Sequence, residues 1–205
     1  MTLPTGTPTD FATRELYGGA ITTTIPGSFL DASTVRPVPS NQEVFTSPTP
    51  NLPISIIFDL LEAQSGTPQE VASTHFSDIA SSPFQILNVS SNTGVTPQLP
   101  KEQNNGQDFE VVSAEGTIVN EKNETGYTVV IMAIVRMVKV GTDFVVSVNI
   151  QVEGEDVQKE EWFRRPGVEG LPQGEKGDLV KVGEEVARRA IADLRVVDWG
   201  LFVEE

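Results

Sequence analysis

At 205 residues the chain is long enough for one domain with a substantial core and short for two. Its 29 Asp and Glu against 14 Lys and Arg give a formal charge of −15, a field that repels nucleic-acid phosphates and anionic lipid headgroups. The absence of cysteine excludes a disulfide framework and thiolate metal sites and fits a reducing compartment.

Residues 1–13 are read as a disordered leader. Thr and Pro dominate Met1 to Asp10, and the positive start and apolar core of a signal peptide are missing. A single domain is expected over 14–205, with long loops near 46–53, 97–107 and 153–177. Ala20 to Ile25 is β-branched and reads as a first strand, stopped by Pro26-Gly27. Asp31 can cap a short helical turn through Thr34, before Pro37 and Pro39 force an extended path. Glu43 to Phe45 is a short strand, and Ser47 to Pro53, with its three prolines, a loop.

Ser55 to Leu61 carries Ile57 and Leu61 on one side and Ile56, Phe58 and Leu60 on the other, so this strand must be covered on both faces. Thr67-Pro-Gln-Glu70 is a helix start: Thr67 caps a free N–H, Pro68 suits the first helical position and Glu70 completes a capping box. The helix is expected to bury Ala72, Phe76, Ile79 and Ala80 and to end near Pro83. A three-strand meander follows: Phe109 to Val119, Tyr127 to Val140, and Phe144 to Val152. The middle strand is apolar on both faces and must be central. The last points Phe144, Val146, Val148, Ile150 and Val152 inward and sets Asp143, Ser147, Asn149 and Gln151 on its other side.

Gly154 to Gly177 is a charged surface excursion from which Trp162-Phe163 docks back. Leu179, Val182, Val186, Ala190 and Leu194 repeat at helical spacing and predict an amphipathic helix laid on the sheet, after which Trp199 and Phe202 anchor the closing segment. The longest unbroken apolar run, Val129 to Val135, is far below the roughly 20 residues of a membrane helix. Helices flanking an antiparallel sheet that is apolar on both faces make an α+β protein, an α/β/α sandwich.

Site chemistry is sparse. The lone histidine, His75, lies mid-helix and reads as a structural or surface group. With a single His and no Cys, no metal site is expected. Neither phosphate-binding glycine motif is present, so no cofactor is expected and the chain is not itself a GTPase. Asn88-Val-Ser90 and Asn123-Glu-Thr125 match the glycosylation sequon by chance. Asp59 and Glu62 are too close in sequence to suggest a glycosidase pair. In an ideal strand they point to opposite faces, and both serve one surface only where the strand bends or ends near Leu61.

Four stretches are more particular than folding requires. They are Glu15-Leu-Tyr-Gly-Gly-Ala20 with its continuation to Ser33, Arg36 to Phe45, Ile54 to Glu62 with its Asp-Leu-Leu-Glu ending, and Arg195-Val-Val-Asp-Trp-Gly-Leu-Phe202. Together they bracket nearly the whole chain and resemble the Ran guanine-nucleotide release factors, the Mog family. That resemblance implies a PsbP-like fold, with a central, mainly antiparallel, roughly six-stranded sheet flanked by helices. It implies a Ran-type GTPase as partner, with other Ran-binding transport factors as further candidates, and promotion of guanine nucleotide release without bond chemistry. It also implies partner contacts at Asp59 and Glu62, extended by Asp31, Glu43 and Tyr17, in a monomer shared between nucleus and cytoplasm. Two alternatives stand beside it: a PsbP-like structural or assembly subunit with no GTPase partner, and an enzyme with a pocket on the Ser147, Asn149 and Gln151 face.

Overall fold

The computed structural model describes residues 8–91, 93–121, 125–160, 162–167 and 174–202. Residues 1–7 of the expected leader, Asn123 and Glu124 of the second sequon, and 168–173 of the last long loop lie outside the described residues. The elements run β1 (Phe11–Leu16), a 3-10 turn at Tyr17–Gly19, β2 (Ile21–Pro26), β3 (Leu30–Asp31), a 3-10 turn at Ala32–Thr34, β4 (Gln42–Thr46) and β5 (Ile54–Glu62). Then come α1 (Pro68–Ile79), β6 (Phe84–Ser90), a 3-10 turn at Lys101–Asn104, β7 (Val111–Val119), β8 (Tyr127–Met137) and, after a 3-10 turn at Val138–Val140, β9 (Thr142–Val152). The short α2 (Asp156–Lys159), α3 (Asp178–Ala192), β10 (Arg195–Val196) and a 3-10 turn at Trp199–Phe202 complete the chain.

The main sheet has seven antiparallel strands in the order β3-β4-β5-β9-β8-β7-β6, and β1, β2 and β10 form a separate three-stranded sheet. The expected sandwich is present, with differences. The first expected strand, now β2, lies outside the central sheet, because its two neighbours are β1 and β10. β1 begins at Phe11, so residues 11–13 of the expected leader are paired chain. The central sheet gains β6, for which the sequence carried no expectation. Its register shifts between Ile86 and Asn88, a bulge that breaks the alternation by which an edge strand is recognised.

Each face of the main sheet has its own apolar layer. On one side α3 and the β1–β2 hairpin cover Ile54, Ile56, Phe58, Phe144, Val146, Val148 and Ile150. On the other, Val71, Ala72 and Phe76 of α1 cover Val112, Ala114, Val130, Met132, Ile134 and Val145. The capping box of α1 forms as expected: Glu70 N–H donates to Thr67 Oγ1 at 3.3 Å, and Thr67 N–H donates to Glu70 Oε2 at 2.7 Å. Ile79 and Ala80 are half-buried rather than buried: α1 stops at Ile79, short of Pro83, and Ile79 packs at the margin of this layer. On α3 the buried face is broader than the expected stripe, taking in Val180, Gly183, Ala187 and Ile191, while Leu179 stays at the margin.

The last long loop is tied down at several points. Phe163 is fully buried, and its carbonyl accepts from the Tyr127 hydroxyl at 2.8 Å. Glu160 takes the Trp162, Phe163 and Gly177 N–H groups at 2.9, 3.0 and 2.7 Å, occupying the start of α3. Lys176 bridges Glu115 of β7 and Glu184 of α3 at 2.9 and 2.5 Å. Trp199 stacks on Phe109 with centroids 6.3 Å apart, which anchors the closing segment as expected.

Gly116 of β7 is a point of close approach. A Cβ there would collide with the Gln85 carbonyl oxygen and stand 2.8 Å from Cζ of Phe76. Gly116→Ala should therefore cost about 1–3 kcal/mol by overpacking, read as a lower urea midpoint at unchanged slope.

Candidate partner-binding surface at the end of strand β5

The surface begins at the turn between β1 and β2. Tyr17 has φ +51°, unusual for a residue with a side chain, and Gly18 and Gly19 follow at +65° and +93°. Tyr17 is held there at both ends. Its N–H donates to Glu43 Oε1 at 2.8 Å, and its hydroxyl donates to the Phe58 and Asn41 carbonyls at 2.9 and 3.2 Å. Burial, and then the charges of Asp59 and Glu43, push the Tyr17 phenol far above its ordinary range, so it serves as a hydrogen-bond donor. Beside it lies an open notch of about 450 Å³ lined by Tyr17, Gly18, Gly19, Ala20, Asp198, Gly200 and Leu201.

Glu43 pairs with Phe58 across the β4–β5 ladder, so both side chains share a face. On the same face of β5 follow Leu60, half-buried, and Glu62, exposed at the strand end and paired with Thr142. By strand rise Glu62 lies ~13 Å along from Phe58. Tyr17, Glu43, Leu60 and Glu62 therefore form one stripe along the rim of the sheet. Asp31 stands on the edge strand opposite Phe45, where its carboxylate caps the Ala32–Thr34 turn by accepting from Ser33 N–H at 2.7 Å.

Asp59 does not belong to this stripe, which corrects its expected role as a surface contact. β5 runs without a break through Glu62, so Asp59 points to the opposite face, where it is 1 % exposed. Among the described residues, neither of its oxygens meets hydrogen-bond geometry with any group. Burial raises its carboxyl above the ordinary range, opposed by the amide of Gln42, its cross-strand partner, and by His75. The neutral acid therefore contributes stability below the ordinary carboxylate value, and that contribution is lost as pH climbs through the raised one.

Sequence reasoning missed the charged network beneath this end of the sheet. His75 is fully buried on α1, with Nε2 2.9 Å from Asp143 Oδ2. Asp143, also fully buried, takes Arg136 Nε on its other oxygen at 2.9 Å and the Gln64 N–H at 3.0 Å. Arg136, 7 % exposed, donates further to the Gln64 carbonyl and lies 3.5 Å from Glu110. Burial alone would raise the Asp143 carboxyl; the hydrogen bonds of His75, Gln64 and Arg136, with the charge of Arg136, outweigh it and hold it below the ordinary range. The legible signal was Arg136 in an otherwise apolar strand, with Asp143 at the start of the next. Of the polar row imagined as an enzyme pocket, Ser147 is fully buried on the same face, Asn149 half-buried and Gln151 exposed.

Fold and strand end together define an acidic α/β/α sandwich that carries carboxylates on the rim of a rigid antiparallel sheet. The model of the Ran-interacting Mog1 protein family matches residues 14–151. The nuclear import protein MOG1 of Saccharomyces cerevisiae is 32% identical over 156 residues, covering 71% of this chain and 68% of the yeast protein. The chain belongs to the Ran-interacting Mog1 family. The Ran guanine nucleotide release factor of Danio rerio is 38% identical over 91 residues, 44% of this chain and 49% of the fish protein, so the match spans about half the length of that relative. The 1.9 Å crystal structure of the S. cerevisiae Ran-binding protein Mog1p superposes with a TM-score of 0.66 over 95% of this chain and 99% of that chain, at 24% identity, a likeness of fold.

Proposed function

We propose that this chain binds a Ran-type small GTPase through the rim stripe of β5 and promotes release of its guanine nucleotide, acting in nucleocytoplasmic protein transport as a regulator without bond chemistry of its own. The observation that carries the reading is the family match over residues 14–151. It is supported by relatives named as a Ran guanine nucleotide release factor and a nuclear import protein. Glu62 is the principal contact. Glu43 and Tyr17 extend the surface towards the notch, and Asp31 lies at its outer edge.

The mechanism is linkage. A protein that prefers the nucleotide-free GTPase lowers nucleotide affinity by the same factor by which the empty form is preferred. Carboxylates on a chain of charge −15 speed encounter with basic side chains near a nucleotide pocket and make it salt-sensitive. No resident cofactor is required, the monomer suffices, and the protein works in both nucleus and cytoplasm, alone or with other Ran-binding transport factors.

Fluorescent nucleotide preloaded on Ran should leave faster when the protein is added; an unchanged rate together with no binding overturns the reading. Because Glu62 is exposed, Glu62→Lys should weaken binding by about 10-fold or more, while the melting temperature stays within a degree or two.

A further inference from the structure

The buried network beside β5 grips a single peptide segment. Gln64 is held at both of its backbone groups: its N–H donates to Asp143 Oδ2 at 3.0 Å, and its carbonyl accepts from Arg136 Nη2. The residue before it is fixed as well, since Ala63 N–H donates to the Gly141 carbonyl at 2.9 Å. The Gln64 amide reaches back to the Glu62 carbonyl at 3.0 Å. From Glu62 to Gln64 the chain is thus tied at four backbone groups, immediately beyond the last residue of β5.

The members of this network come from three elements: His75 from α1, Arg136 from β8 and Asp143 from β9. Arg136 and Asp143 stand directly opposite each other in the β8–β9 ladder, and Glu62 pairs with Thr142, next to Asp143. A buried ion pair is a poor way to gain stability, because apolar residues of similar volume do as well or better once the cost of dehydrating the charges is counted. What an apolar cluster could not do is hold one residue by both its backbone donor and its backbone acceptor. Buried charges with fixed partners set direction, and the direction set here is that in which the strand end leaves the sheet.

We propose that Asp143, supported by His75 and Arg136, is a positioning residue for Glu62. By clamping Gln64 it fixes the exit of β5, and so the place in space of the exposed carboxylate that meets the GTPase. The inference rests on the reading of Glu62 under Proposed function. It gives the family-type surface a dependence on residues that touch no partner, and it makes Asp143 act through Glu62 alone.

The test is a double-mutant cycle with wild type, Asp143→Asn, Glu62→Gln and the double variant, measuring affinity for nucleotide-free Ran and the urea midpoint of each protein. Asn conserves shape and one acceptor but loses the charge that holds Arg136. Expected is a loss of affinity of about 10-fold for Asp143→Asn when Glu62 is present and less than about 2-fold when it is Gln, with the same shift in urea midpoint in both backgrounds. Equal loss in both backgrounds, or none with Glu62 present, overturns the proposal. A second measurement needs no GTPase: amide exchange at Gln64 should quicken by about 10-fold or more in Asp143→Asn, beyond the change at core amides of β8 and β9. Unchanged protection at Gln64 overturns the clamp. If wild type fails to bind Ran, the functional reading falls while amide exchange still decides the clamp.

Discussion

Asp143→Ala should lower the unfolding free energy by about 3–5 kcal/mol at neutral pH, because it leaves the Arg136 guanidinium buried without its carboxylate. Arg136 is 7 % exposed and Asp143 fully buried, and among the described residues the guanidinium keeps only the half-exposed Glu110, at 3.5 Å, as a carboxylate neighbour. Urea titration measures the loss, and the pair Arg136→Met with Asp143→Leu should recover part of it by removing both charges together, the Gln64 backbone groups and His75 Nε2 still losing their buried partners. The sign of the pH dependence follows from the depressed Asp143 carboxyl. Its contribution is complete above the ordinary carboxylate value and is lost as pH falls through the depressed one. Wild type should accordingly lose more stability than the apolar pair between neutral pH and the acid range below the ordinary value. A flat difference across that window would refute the assignment.

Phe58→Ala should cost a comparable amount, about 3–5 kcal/mol, by a different route. The ring is fully buried. It packs edge-on against Phe45 at 6.1 Å and tilted against Phe144 at 6.0 Å, under the same stretch of β5 that carries the rim stripe. Removing it leaves a cavity that the surrounding strands, paired on both sides of β5, cannot collapse to fill. The Tyr17 hydroxyl bonds to the backbone of residue 58 and not to its ring, so the fold should loosen while the Tyr17 turn keeps its anchor. Thermal unfolding measures the first, and the chemical environment of the Tyr17 ring in the native state the second.

Much of the layering could be read directly from the chain, because burial on two faces leaves a plain mark. Val129 to Val135 has no polar residue on either side, and only a strand covered above and below can tolerate that. The start of α1 was equally legible, since Thr67, Pro68 and Glu70 act over one helical turn and need no distant partner. Long-range pairing was not. β2 was legible as a strand, but not that its neighbours are β1 and β10, from opposite ends of the chain. β6 escaped because its bulge scrambles the alternation.

The candidate site divides along the same line. Glu62 and Glu43 were named for their place in recognisable segments, and the β4–β5 register with the alternation along β5 puts them on one face. Asp59 was assigned to the surface on that same ground and lies inside, because a strand that continues to Glu62 cannot turn both carboxylates one way. The rule that successive side chains face opposite sides already contained that answer. The His75, Arg136 and Asp143 network brings together residues from three elements, and no local pattern announces such a meeting.

The small sheet has a consequence for how the molecule is made. β10 pairs with β2, and the Val197 and Asp198 N–H groups both reach the Ala20 carbonyl at 2.8 and 3.1 Å. α3, which buries its apolar face against the main sheet and β2, immediately precedes β10. During synthesis the ribosome therefore delivers the hairpin first and its seam last. For most of translation one greasy side of the nascent sheet has no lid, and such late, distant closure is slow. It is on that side, rather than beneath α1, that a chaperone would find the unfinished protein.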